Sequence, residues 1–128
     1  MTIRIVRLGT GRARDEGPRL GTVRRPPRGV PKSEFASGNW YDVWYPVLAP
    51  SAALMKTAFE AKSEKQWAAF FRKFRAEMNS PAASQSLDVL ATLSRSAHFS
   101  LGCYCADESH CHRSQLRALL LARGAEVE

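Results

Sequence analysis

The apolar residues of this chain change period twice, which restricts its fold more than anything else in the sequence. Residues 2–8, Thr-Ile-Arg-Ile-Val-Arg-Leu, are rich in β-branched side chains and stop at Gly9, the pattern of a first strand. From Ser51 the spacing becomes helical. Ser51 follows Pro50 as an N-cap, and Leu54, Ala58 and Phe59 are expected on one buried face of a short helix. Ser63-Glu64-Lys65-Gln66 has the form of a capping box and leads into Trp67, Phe70, Phe71, Phe74 and Met78. That helix should bury Trp67, Phe71 and Phe74 while exposing Lys65, Arg72 and Lys73. Ser80-Pro81 starts a third helix, with Leu87, Leu90 and Leu93 inward and an end near Ala97. At His98–Cys105 the period returns to two, placing Phe99, Leu101, Cys103 and Cys105 on one strand face. A last helix runs from about Cys111 to Arg123, burying Leu116, Leu119 and Leu120, with Gly124 just past its end.

Strands interleaved with helices imply an α/β fold, a small and mainly parallel sheet flanked by helices on both faces. The segments Ile3–Leu8 and Phe99–Cys105 should lie side by side and parallel at its centre, because both are apolar enough to be buried on two faces. Between them, Arg19–Arg24 fits a short second strand, and Pro26, Pro27, Gly29 and Pro31 make a stiff basic loop. The aromatic run from Trp40 to Tyr45 must pack somewhere, and Pro46 keeps it from being an ordinary central strand. A chain of 128 residues fits one domain, 1–128, and can bury about two thirds of its unfolded surface without staples.

Three cysteines within residues 103–111 tie no distant parts of the chain together, and their odd number fits a reducing compartment. Charged and apolar residues alternate at the N-terminus, and no apolar run approaches membrane-spanning length. A soluble cytoplasmic protein with no membrane partner is expected. The net charge of +7 is unevenly placed. Residues 1–32 hold eight arginines and Lys32 against Asp15 and Glu16, while residues 33–128 hold ten basic and ten acidic side chains. Arginine suits bidentate contact with phosphate or carboxylate, so an anionic small molecule or a nucleic acid is a candidate partner, against the plainer reading of a solvated basic surface.

The chemistry concentrates in Cys103-Tyr-Cys-Ala-Asp-Glu-Ser-His-Cys-His-Arg113. In an open α/β sheet, ligands bind beyond the carboxyl ends of strands. The turn from Cys105 to Cys111 is such a place, and the helix that follows offers free amides and the positive end of its dipole. A thiolate at Cys111 would be stabilised there, with His112 as tuning base and Arg113 beside it, well below the unperturbed thiol pKa of about 8.5. Cys105 and Asp107 are further candidates for catalysis. The spacing does not match a phosphatase loop, in which arginine follows cysteine by six residues, nor a Cys-x-x-Cys pair. Zinc or iron remains possible, with Cys103, Cys105, Cys111 and either His112 or His110 as ligands. A third reading takes the cysteines as packed structural residues and the Trp40–Tyr45 segment as a partner-binding surface.

Several segments in order resemble a known family: Arg7-Leu8-Gly9, Pro27-Arg28-Gly29-Val30 with Lys32, Trp44 with Leu48-Ala49-Pro50-Ser51, Trp67 with Phe70 or Phe71, then Cys105-Ala106-Asp107 and Cys111-His112-Arg113. They are similar to the YeaO-like proteins, a domain family of unknown function numbered 488. The resemblance spans nearly the whole chain and implies an α/β fold. Arg24, Arg28 and Lys32 match basic positions of the family pattern. The family pattern has Val-Asp-Arg where this chain has Thr22-Val23-Arg24, Lys-Glu where it has Pro46-Val47, and a histidine after the first helix that is missing here. An altered site is therefore implied. On these grounds the leading expectation is an enzyme-like thiol and anion site, with Cys111 as nucleophile and Arg113, Arg24, Arg28 and Lys32 holding a phosphate or carboxylate. The alternatives are a metal-binding regulatory or nucleic-acid-binding module, and a structural or partner-binding protein.

Overall fold

The computed structural model describes all 128 residues. Four strands, β1 (Ile3–Arg7), β2 (Arg19–Gly21), β3 (Val43–Trp44) and β4 (Phe99–Cys103), form one sheet in the order β1-β4-β2-β3. All three pairings are parallel, with Ile3 opposite Phe99, Arg19 opposite Ser100, and Leu20 opposite Val43. Four helices, α1 (Ala52–Glu60), α2 (Glu64–Glu77), α3 (Pro81–Leu93) and α4 (His112–Ala122), complete an α/β fold. None is long and apolar enough to cross a membrane.

β4 is central and wholly buried, as its two-sided apolar pattern implied. β1 pairs with it in parallel but is an edge strand. Its outer side meets only the chain's last residues, where the Ile3 amide donates to Glu126 O and the Glu128 amide donates back to Ile3 O. Its arginines explain the difference: Arg4 lies on the side of the strand facing Asp15 and Glu128, to which it is ion-paired, and only Ile3 is fully enclosed.

The two faces of the sheet are covered differently. On one, Ile3, Phe99 and Leu101 join Phe70 and Phe74 of α2, Leu87 of α3 and Leu116 and Leu120 of α4 in the main core. On the other, loops lie directly on the strands. Ser100 donates to Glu16, and a Cβ at Gly21 or Gly102 would sit 2.3 Å from the Tyr41 ring or 2.4 Å from Leu8. Glycine is needed at both because the loop side chains stand where a Cβ would be.

The helices begin where their capping residues stand. In α2 the Ser63 hydroxyl accepts from the Gln66 amide while the Gln66 side chain accepts from the Ser63 amide, a complete capping box. Ser63→Ala should lower stability by about 1 kcal/mol, read from the midpoint of urea unfolding. Lys65, Arg72 and Lys73 are exposed and Phe74 is buried, as expected, but Phe70 is the second fully enclosed aromatic. Trp67 and Phe71 are only half-buried at the margin of the core. α3 ends at Leu93, earlier than its sequence suggested, and leaves that side chain exposed; Leu119 in α4 is half-buried.

α1 departs most from expectation. Leu54 is buried and Ala58 packs against the core, but Phe59 is 81% exposed. At about 100° per residue Phe59 falls with Ala52, Met55 and Lys56, on the side turned away from Leu54. That side faces the site described next.

Candidate functional site

A parallel sheet brings the carboxyl ends of all its strands to one edge. Beyond that edge lies an open cleft of about 900 Å³, whose lining includes Arg7 and Leu8 at the end of β1, Val23 and Arg24 after β2, Cys103 and Tyr104 at the end of β4, and His112 at the start of α4. One side of α1 and the loop Arg25–Arg28 contribute further walls. Five cations, Arg7, Arg24, Arg25, Arg28 and Lys56, line this space, and no aspartate or glutamate does.

Next to it the cysteine segment closes on itself, and of the three cysteines only Cys103 lines the cleft. β4 ends at Cys103, and a 3-10 turn over Glu108–His110, started by the Asp107 side chain accepting from the Ser109 amide, returns the chain sharply to Cys111. Cys111 is the N-cap of α4. The Sγ atoms of Cys103 and Cys105 are 3.8 Å apart, and the ligand atoms of Cys103, Cys111 and His112 all lie within 4.8 Å of one another. Five residues separate Cys105 from Cys111 along the chain, and it is the turn that brings the strand and helix cysteines together. Cys103 and Cys111 are buried, and Cys105 is exposed.

His112 is buried and oriented on both sides. Its Nε2 is 2.6 Å from the Thr22 carbonyl, which can only accept, so Nε2 carries a proton. Nδ1 is thereby directed to Cys111 Sγ, at 3.7 Å, and Phe74 packs edge-on against the ring. Thr22 is itself fixed through a hydroxyl bond to Gly102 O. Arg113, also buried, donates from Nε to Cys111 Sγ at 3.4 Å and from Nη2 to Cys105 O at 2.7 Å.

The three sulfurs share hydrogen bonds, so their titrations are linked. Hydrogen bonding to its two neighbours, together with burial, pushes the Cys103 thiol up. The Cys103 and Cys111 hydrogen bonds, followed by the nearby Arg113 charge, bring Cys105 down to about 3 against the cost of burial. Cys111 is also lowered, first by Cys103 and then by His112. Within the cluster Cys103 is thus biased toward the thiol, and Cys105 and Cys111 toward the thiolate.

The remaining sequence candidates are dispersed. Arg28 lines the cleft. Arg24 lines it too, but its guanidinium donates to Pro46 O, Ala49 O and Pro50 O, holding the approach to α1. Arg113 is turned inward to the sulfurs, and the Cys111 amide is taken by Glu108 O instead of facing the cleft. Lys32 lies in a separate pocket with Asp42 and Trp44, because Pro31 and the 3-10 turn at Lys32–Glu34 lead the chain away. Asp107 is an exposed turn cap. His110 stacks on Trp67 and contacts Glu64, apart from the Cys103, Cys111 and His112 group. Arg7, Arg25 and Lys56 are site residues that the sequence reading does not assign to a site, and Phe59 is one it places in the core. Only Arg7, at a strand end, carried a signal that could have found it.

The model of the active N3 subclade of DUF488 matches residues 3–124. The chain belongs to the DUF488 family. Comparison with curated proteins and with solved structures gave no match. In this DUF488 chain the position where the resemblance led us to expect an aspartate is Val23, buried in the wall of the cleft, and the space keeps no carboxylate. Cys103, Cys111 and His112 form a donor set of the softness zinc or iron takes, with the second nitrogen of His112 bonded to a carbonyl, as metal-bound histidines commonly are.

Proposed function

We propose that this DUF488 chain is an enzyme-like protein in which a cysteine thiolate, carried by a cluster whose Cys103 and His112 line a cationic cleft, acts on a phosphorylated or other anionic substrate. The observation that carries the reading is the meeting of two features at one sheet edge, a cleft with five cations and no carboxylate, and a sulfur cluster with lowered thiol pKa values. Cys111, held between His112 Nδ1 and Arg113 Nε, is the candidate nucleophile, and Cys105 its exposed neighbour. Arg113 serves as partner of the thiolate, while Arg28, Arg25, Arg7 and Lys56 attract the anion. The description of the matching subclade as active agrees with this reading.

Alkylation by iodoacetamide tests it, with each cysteine followed by peptide mapping. Cys105 should react fastest and at a nearly constant rate from about pH 5 to 8, since a thiol with pKa about 3 is already ionised there. An ordinary thiol of pKa about 8.5 would instead gain roughly tenfold per pH unit. Cys103 should be slowest, and pyrophosphate, as an anion close to the thiolates, should slow Cys111. Equal, sluggish reaction of all three cysteines in metal-free protein would reduce them to structural residues.

The convergence of Cys103, Cys111 and His112 within 4.8 Å favours a second reading, a zinc or iron site in a regulatory or nucleic-acid-binding module. Protein purified without chelator would then carry one metal per chain, and its cysteines would alkylate only after the metal was removed.

A further inference from the structure

We infer that the ligand of the cleft is a nucleotide unit, a planar base carried on phosphate, taken from a free nucleotide or from an unpaired nucleic-acid strand. This rests on the anionic-substrate reading above and adds to it the part of the ligand that is not anionic.

A site for phosphate alone needs no aromatic walls. Here α1 turns Met55, Lys56 and Phe59 toward the cleft while its other side buries Leu54. Phe59 is 81% exposed, an arrangement that leaves a large apolar ring in water beside a cation. Elsewhere in the lining, half-buried Trp40 and Tyr104 meet edge to face with centroids 6.0 Å apart. The Trp40 ring is pinned against Gly9, where a Cβ would be 2.9 Å from it, and Tyr104 is held by its hydroxyl bond to Arg25 O. Rigid aromatic faces next to cations are what unstacked bases with their phosphates require, because every base offers a π-face and every linkage a negative charge.

The charges point the same way. The cleft cations Arg7, Arg25, Arg28 and Lys56 belong to no ion pair. A volume of about 900 Å³ lies near the upper end for small-molecule sites, room enough for more than a lone phosphate.

Fluorescence anisotropy with a labelled ten-nucleotide oligothymidylate, competed by AMP, by pyrophosphate and by dextran sulfate, tests the inference. The oligomer should bind, and Phe59→Ala should weaken it about 5- to 100-fold, the loss expected for one stacked base. Since Phe59 is mostly in solvent, that change leaves the core intact. Arg28→Ala and Lys56→Ala should each reduce the salt dependence by about one unit of slope, which Phe59→Ala should not do. Competition by AMP at the oligomer's own molar strength would assign the free nucleotide, and a clear advantage of the oligomer would assign a strand. Pyrophosphate or dextran sulfate competing as well as either, with Phe59→Ala unchanged, would overturn the inference. If pyrophosphate still slowed Cys111 alkylation in that case, the anion site would stand without its nucleotide.

Discussion

Arg19→Ala should destabilise the protein by about 3–5 kcal/mol, the range for breaking a buried ion pair by removing one partner. Arg19 and Glu16 have side chains only 1% and 3% exposed. All five guanidinium N–H groups are engaged: Nε and one Nη2 hydrogen with Glu16, Nη1 with Thr10 O and Asn39 O, and the other Nη2 hydrogen with Gly11 O. One side chain thus ties the loop after β1 to the segment before β3, on the sheet face that loops cover. Removing it leaves a buried carboxylate and three carbonyls without this donor. The double change Arg19→Met with Glu16→Leu should cost less than Arg19→Met alone, since it leaves no uncompensated charge. Urea unfolding of the three variants decides it, and a loss under about 1 kcal/mol for Arg19→Ala would show the pair to be dispensable.

The same pair gives a pH dependence. Burial acts to raise the Glu16 pKa, but hydrogen bonds from Arg19, Ser100 and the Ala13 amide leave it below its ordinary value. A folded-state pKa below the unfolded one stabilises the fold above the unfolded value of about 4.3. That contribution should disappear as the pH falls through the folded pKa, and Glu16→Gln should flatten stability in this acid range.

Arg113→Ala should raise the pH at which the cysteine cluster ionises by about one to two units, the equivalent of losing one hydrogen bond to a charged group. The direction follows from geometry. Arg113 places a cation 3.4 Å from Cys111 Sγ and fixes the Cys105 carbonyl, so both lowered thiols lose a positive neighbour. Ultraviolet thiolate absorbance, followed as the pH is lowered, reads the shift directly. Arg113→Lys, which keeps the charge, should restore part of it. Cys103→Ala should raise the ionisation of Cys105 further still, because the Cys103 hydrogen bond is the largest cause of its low pKa of about 3. A cluster whose ionisation ignored both changes would not be an activated thiol site.

What was legible in the sequence was what depends on near neighbours along the chain. The extended pattern of Ile3–Arg7 and Phe99–Cys103 is a local property of the backbone, and the helices between them make a parallel pairing the expected one. Ser63 and Gln66 cap α2 across three residues, and Cys111-His112-Arg113 opens α4, both set by local geometry. α1 is the exception. In a helix of nine residues one large side chain dominates the apolar pattern, so Phe59 reads as inward although the buried side carries Leu54 and Ala58.

The sequence by itself thus determined β1, β2 and β4, the four helices, the parallel pairing of β1 with β4 and the concentration of sulfur near one strand end. Tertiary structure alone decided which charges matter. Arg19 became a buried tie and Arg24 a clamp on three carbonyls, while Arg28 faces the cleft and Lys32, four residues later, does not. A charge count weighs these side chains equally. Their roles diverge because a guanidinium's energy depends on which carboxylates and carbonyls the folded chain brings within about 3 Å of it, and those partners lie from three to more than twenty residues away in sequence.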